Sequence, residues 1–140
     1  YSPEDEIVLG KGVELADGKD VAIVATGVLM VDAALSARDI LLKKGIDATV
    51  IDLHTIRPLD TELIEKAARR CGCMLVMENG RYPGGTGEMI AAHLARTVPV
   101  RMDFMNVGER FGEVGNLQYL AQSFGFTAEV AAEKAESIAR

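Results

Sequence analysis

At 140 residues, with 49% hydrophobic and 26% charged side chains, the chain is long enough to bury one core and too short for two ordinary domains, which excludes a disordered or fibrous protein. A formal net charge of −6 and the lack of a Lys/Arg cluster exclude nucleic acid and anionic membrane surfaces as partners, because phosphate binding needs a basic face. No apolar run approaches the roughly 18–20 residues a bilayer span requires, and nothing at the start has the basic-then-apolar pattern of a signal peptide, so the cytoplasm is the expected compartment.

Residues Ile7–Leu15 alternate only partly and end at the turn dipeptide Asp17-Gly18, which predicts a short extended segment or hairpin leading into the core. Val21–Ala25 is an unbroken small and β-branched run, the pattern of a strand buried on both faces. Met30, Ala33, Ala34, Ala37 and Leu41 then recur at helical spacing over Val28–Lys44, and Gly45 stops that helix. A second strand over Ala48–Leu53 leads to Pro58 and the cap Asp60-Thr61 of a helix striped by Leu63, Ile64, Ala67, Ala68 and Cys71. Met74–Glu78 reads as the third strand, residues 79–85 as a loop, and Thr86–Arg96 as a helix.

Val100, Met102 and Phe104 alternate with Arg101 and Asp103, the period of an edge strand with one wetter face. Asn116 caps a short helix that Gly125 ends, and Thr127 caps the last helix, through Ile138. Strands and helices alternating at this spacing imply right-handed crossovers and an open, mostly parallel α/β sheet. Ligands in such folds bind beyond the carboxyl ends of the strands, here at Thr26-Gly27, Asp52–Arg57, Glu78–Gly85 and Val107–Glu109.

The motifs that carry chemistry are sparse. Cys71 and Cys73 are too close in sequence and wrongly directed to bridge, and His54 and His93 lie too far off to complete a metal set, so buried thiols are expected. The turn Thr26-Gly27-Val28 lacks the glycines a dinucleotide needs, and no G-x-x-x-x-G-K-[ST] stretch is present. No serine or cysteine has the setting of a nucleophile, and the carboxylate pairs Glu4 and Glu6, Glu129 and Glu133 fall on solvated faces.

Two features remain as candidates, each with a plainer alternative. Gly84-Gly85-Thr86-Gly87 opens a helix whose free N–H groups can hold a phosphate or carboxylate, or its glycines simply permit a sharp turn and close packing. His54, Arg57, Glu78 and Asn79 fall at strand ends where, like the glycine turn, they could meet an anion or form an interface. Alternatively, Arg57 pairs with Asp60 or Glu62 and His54 lines a loop. His93, four residues after Met89, is expected to flank the core with a satisfied ring nitrogen.

Specific strings add a resemblance. Residues 19–27, KDVAIVATG, and 50–60, VIDLHTIRPLD, look like the opening of the transketolase C-terminal domain. Val76-Met77-Glu78-Asn79 with Gly84-Gly85-Thr86-Gly87 is similar to that family's third strand and glycine turn. Residues 107–115, VGERFGEVG, resemble the transketolase branch more than deoxyxylulose-phosphate synthase or the β chain of 2-oxoacid dehydrogenases. Where many relatives place histidine after Glu78-Asn79, this chain has Gly80 and then Arg81.

The resemblance runs from about Ile7 to Ile138. It implies a three-layer α/β/α fold with a five-stranded, mostly parallel sheet and one antiparallel strand, residues 1–18 being a lead-in from a preceding domain within a single unit, 1–140. A chain beginning at Tyr1 rather than Met fits processing or excision from a longer polypeptide. The resemblance further implies thiamine diphosphate and Mg²⁺ held by separate pyrophosphate- and pyrimidine-binding domains, in the same chain or another subunit, since no G-D-G motif is present here. No catalytic, cofactor-binding or metal-binding residue is then expected on this chain, whose role in a homodimeric enzyme transferring two-carbon ketol units between sugar phosphates would be assembly. The alternative is a regulatory anion- or nucleotide-binding domain of one of the related thiamine-dependent enzymes.

Overall fold

The computed structural model describes residues 1–2 and 6–139; Glu4 of the expected carboxylate pair lies outside them. In chain order the elements are β1 (Val13–Ala16), β2 (Val21–Thr26), α1 (Val28–Lys43), β3 (Ala48–Asp52), α2 (Thr61–Cys71), β4 (Cys73–Glu78), α3 (Thr86–Thr97), β5 (Arg101–Met105), α4 (Leu117–Phe124) and α5 (Ala128–Ala139). They form a five-stranded sheet ordered β1-β3-β2-β4-β5. Only the β1–β3 pairing is antiparallel, and β2, β3, β4 and β5 pair in parallel.

The pattern of β2 dictates its central place. Successive side chains of a strand point to opposite faces, and every one from Val21 to Ala25 is fully buried. Val21, Ile23 and Ala25 join Met30, Ala34, Leu41, Ala131 and Ala135 of α1 and α5 in one cluster. Ala22 and Val24 join Ile64, Ala68, Ile90 and Leu94 of α2 and α3 in the other. The molecule is therefore three layers, with α1 and α5 on one face of the sheet and α2 and α3 on the other, and a core on each side.

The helix ends follow the sequence signals. Asp60 accepts from the Leu63 N–H at the start of α2 and Asn116 accepts from the Tyr119 N–H at the start of α4. Gly72 and Gly125, both at positive φ, close those helices, a conformation that costs glycine little. β5 is an edge strand, as its alternation indicates.

The lead-in does something the sequence left undecided between an extended segment and a hairpin. Val13–Ala16 forms no hairpin with what precedes it and pairs instead with β3, with Val13 opposite Asp52 and a register shift between Glu14 and Ala16. Thr49 fixes the neighbouring turn: its hydroxyl donates to the Gly18 carbonyl at 2.7 Å and accepts from the Gly18 N–H at 3.0 Å. A Cβ on Gly18 would collide with the Ala48–Asp47 backbone, so this close approach demands glycine.

Candidate functional site at the carboxyl ends of the strands

The parallel strands β2, β3, β4 and β5 end on one side of the molecule, and the candidate residues sit on the turns that leave them. Glu78 closes β4 and is 6% exposed. Its carboxylate turns into the glycine loop, accepting from the Thr86 N–H at 2.7 Å and the Gly87 N–H at 2.9 Å. A Cβ on Gly85 would collide with that carboxylate, and one on Gly87 with the Phe104 ring. The glycines therefore serve close packing, and the N–H groups at the start of α3 are used by the protein's own side chain.

The other residues divide among separate hollows. Arg57, Glu78, Gly84, Gly85 and Thr86 line one cleft of about 400 Å³ together with Arg81. His54 lies elsewhere, in a hollow of about 480 Å³ with Thr26, Gly27, Val28, Asp52 and Tyr1. Asn79 faces a third, of about 200 Å³, with Val107, Leu117 and Phe124. Gly87 is buried beneath the first cleft, in α3.

Arg57 is exposed and forms no ion pair among the described residues. Asp60, its expected partner, instead accepts from the Gly12 N–H and from Lys11, and Lys11 also reaches Glu62. The Asp60 carboxylate, and secondarily Glu62, hold the Lys11 ammonium above its ordinary value. His54 Nδ1 lies 3.0 Å from the Thr55 hydroxyl, while its Nε2 is buried with no hydrogen-bond partner among the described residues, as is the Thr26 hydroxyl oxygen. His93 flanks the core, its Nε2 3.0 Å from Glu65. That hydrogen bond is the first cause of a Glu65 carboxyl held below the usual range.

Two contributors fall in the strand-end loops expected to bind ligand but were not singled out within them. Asp52, at the end of β3 and 8% exposed, accepts from the Tyr1 hydroxyl at 2.6 Å. A carboxylate closing a buried strand is a signal that could have singled it out, but its partner is 51 positions away. Arg81, within the Glu78–Gly85 loop and a departure from relatives, shares the cleft with Arg57 and places its guanidinium 5.9 Å from the centre of the Phe111 ring.

The loop carrying Phe111 is tied down from below. Glu113 accepts from the Tyr119 hydroxyl at 2.8 Å and the Ser123 hydroxyl at 3.0 Å and pairs with Arg110, whose guanidinium lies 4.5 Å from the Phe124 ring centre. Those donors, Tyr119 first, hold the Glu113 carboxyl below its ordinary value, and Glu113 in turn pushes the Tyr119 phenol up.

A metal–diphosphate group needs converging oxygen ligands or free N–H groups at a helix start. Among the described residues no three His, Cys, Asp or Glu side chains converge, and the α3 N–H groups are taken by Glu78. At the glycine turn, therefore, the residues present do not fit such a group. Nor does any described helix have the length and apolarity to cross a membrane.

Residues 10–132 match the family model described as transketolase, C-terminal domain. The chain is 39% identical over 128 residues to the 6-deoxy-6-sulfo-D-fructose transketolase subunit SqwH of a Clostridium species, covering 91% of this chain and 39% of that protein. It is 40% identical over 125 residues to 1-deoxy-D-xylulose-5-phosphate synthase 1 of Geobacter sulfurreducens, covering 88% of this chain and 20% of that one. A solved split-gene transketolase, described as an inactive β4 tetramer, superposes over all of this chain and 46% of its own with a TM-score of 0.91 at 34% identity. The chain thus spans less than half the length of these relatives. With its sheet order, its antiparallel edge and its glycine turn, the chain belongs to the transketolase C-terminal domain family.

Proposed function

We propose that this chain is the C-terminal domain, or part of a separate small subunit, of a thiamine-diphosphate-dependent transferase that moves two-carbon ketol units between sugar phosphates, and that it is non-catalytic and serves assembly. The observation that carries the non-catalytic part is Glu78. The one helix start that sequence reasoning offered to an anion is filled by this carboxylate, so cofactor and substrate phosphates are left to the remainder of the enzyme. The transketolase branch is supported by the 39% match to a transketolase subunit. A second reading, a domain of a deoxyxylulose-phosphate synthase, is supported by the 40% match to the Geobacter enzyme.

In this reading the enzyme is a homodimer in the cytoplasm, with thiamine diphosphate and Mg²⁺ on its other domains. The test is complementation. The remainder of the enzyme, prepared without these residues, should be poorly assembled and weak in ketol transfer, and supplying the chain should restore both. Full activity and unchanged dimerisation of the remainder alone would refute the assembly role, while deoxyxylulose-phosphate synthesis in place of ketol transfer would favour the second reading.

A further inference from the structure

The strand-end side of the domain carries apolar side chains that none of the described residues covers. Val28 is 89%, Phe111 85% and Val114 101% exposed, and Leu117 is 66% exposed. Large exposed apolar side chains presented on one side of a domain can form an interaction surface. The loop presenting them is braced by Glu113, Tyr119, Ser123 and Arg110, and its base is pinned to the next loop where Tyr82 N–H donates to the Gly108 carbonyl and Val107 N–H to the Gly80 carbonyl. The patch is thus held in shape before anything binds, which lowers the ordering cost of association.

Charge narrows the partner. In an acidic chain, with a formal charge of −6, the cleft beside Phe111 is lined by Arg57 and Arg81, and neither has an ion pair among the described residues. Of the acids at the cleft, Glu78 holds the Thr86 and Gly87 N–H groups and Glu88 accepts from the Gly84 N–H. Arginine beside aromatic side chains is the composition of a tightly bound interface centre. Tyr1, anchored to Asp52, shares a hollow with Val28.

Resting on the proposed function, we infer that the face made by Val28, Arg57, Arg81, Phe111, Val114 and Leu117 is where the cofactor-holding remainder of the enzyme docks. That remainder places a carboxylate between Arg57 and Arg81 and apolar surface on Phe111 and Val114.

Hydrogen–deuterium exchange on the intact enzyme, compared with the chain alone, tests it, with Arg57→Glu/Arg81→Glu and Arg57→Lys/Arg81→Lys as variants. Amides of residues 109–117 should exchange about ten-fold more slowly in the intact enzyme, a protection of roughly 1.4 kcal/mol. The glutamate pair should abolish that protection, and the lysine pair should keep most of it, while the thermal melt of the isolated variant chains stays unchanged. Protection on the outer faces of α2 and α3 instead would overturn the inference and leave the assembly role standing. So would a glutamate pair that loses binding of inorganic phosphate but not protection, making the cleft an anion site. A chain that dimerises alone through this face, with Phe111→Asp giving monomers and no loss of protection in the enzyme, would overturn it too. No protection anywhere on the chain in the enzyme would instead contradict the assembly role itself.

Discussion

A carboxylate at the end of a buried strand must be solvated by something, and Glu78 is solvated by two peptide N–H groups of the turn that follows it. This is why the glycines matter: side chains at positions 85 and 87 would occupy the space of the Glu78 carboxylate and the Phe104 ring. Glu78→Ala should cost about 2–3 kcal/mol of stability, since buried donors left unpaired cost their full desolvation, and Glu78→Gln should cost less because it keeps an acceptor. Urea denaturation measures both, and an alanine variant as stable as wild type would contradict this role. The sequence marked Glu78 and the glycine turn as neighbours, but either end of that hydrogen bond could equally have met a ligand. Only the direction of one side-chain torsion separates the two outcomes, and spacing does not encode it.

The two cysteines behave differently for physical reasons of the same kind. Cys73 is 5% exposed at the start of β4 while Cys71 is half-buried at the end of α2. Burial, and after it the neighbouring Cys71, pushes the Cys73 thiol up. Iodoacetamide should therefore label Cys71 well before Cys73, as read by peptide mass spectrometry, and equal labelling would show that β4 opens readily. The sign for stability follows from linkage: with the folded value raised, the stabilisation is whole below the unfolded thiol range and is lost as pH rises through it towards the folded value. Denaturation midpoints should fall from about pH 8 to pH 10, and the fall should be shallower in Cys73→Ala.

At the scale of elements, most of the architecture was legible because each signal is local. Met30, Ala33, Ala34, Ala37 and Leu41 are the buried face of α1, and Asp60, Asn116, Gly72 and Gly125 act at the helix ends. β1 was not legible. Its four half-buried residues carry no strong alternation, and its partner β3 lies beyond both β2 and α1, so its pairing is decided by contacts distant in sequence. Asp60 ties this edge to the rest by capping α2 while accepting from the Gly12 N–H at 3.1 Å. Asp60→Ala should therefore exceed an ordinary cap loss of about 1 kcal/mol, reaching about 2 kcal/mol as the Gly12 bond is also lost, and Asp60→Asn should recover most of it. A loss below about 0.5 kcal/mol in urea would mean that the lead-in is not held through this carboxylate.

For the molecule as a whole, the sequence strings identified the family, whereas the candidate residues did not gather into the single cleft their positions suggested. His54 and Asn79 face separate hollows, and only Arg57, Glu78 and the glycine turn share one. Such grouping depends on how each turn leaves its strand, a property of the folded backbone rather than of chain order. What results is a domain with a core on each face of its sheet, a Glu78 carboxylate that takes the Thr86 and Gly87 N–H groups of α3, and exposed apolar and cationic side chains on the neighbouring loops. The sharpest test of the proposed non-catalytic role is calorimetric titration of thiamine diphosphate with Mg²⁺ into the purified chain. No saturable heat of binding is expected, whereas tight Mg²⁺-dependent binding by these residues alone would show that they grip the cofactor themselves.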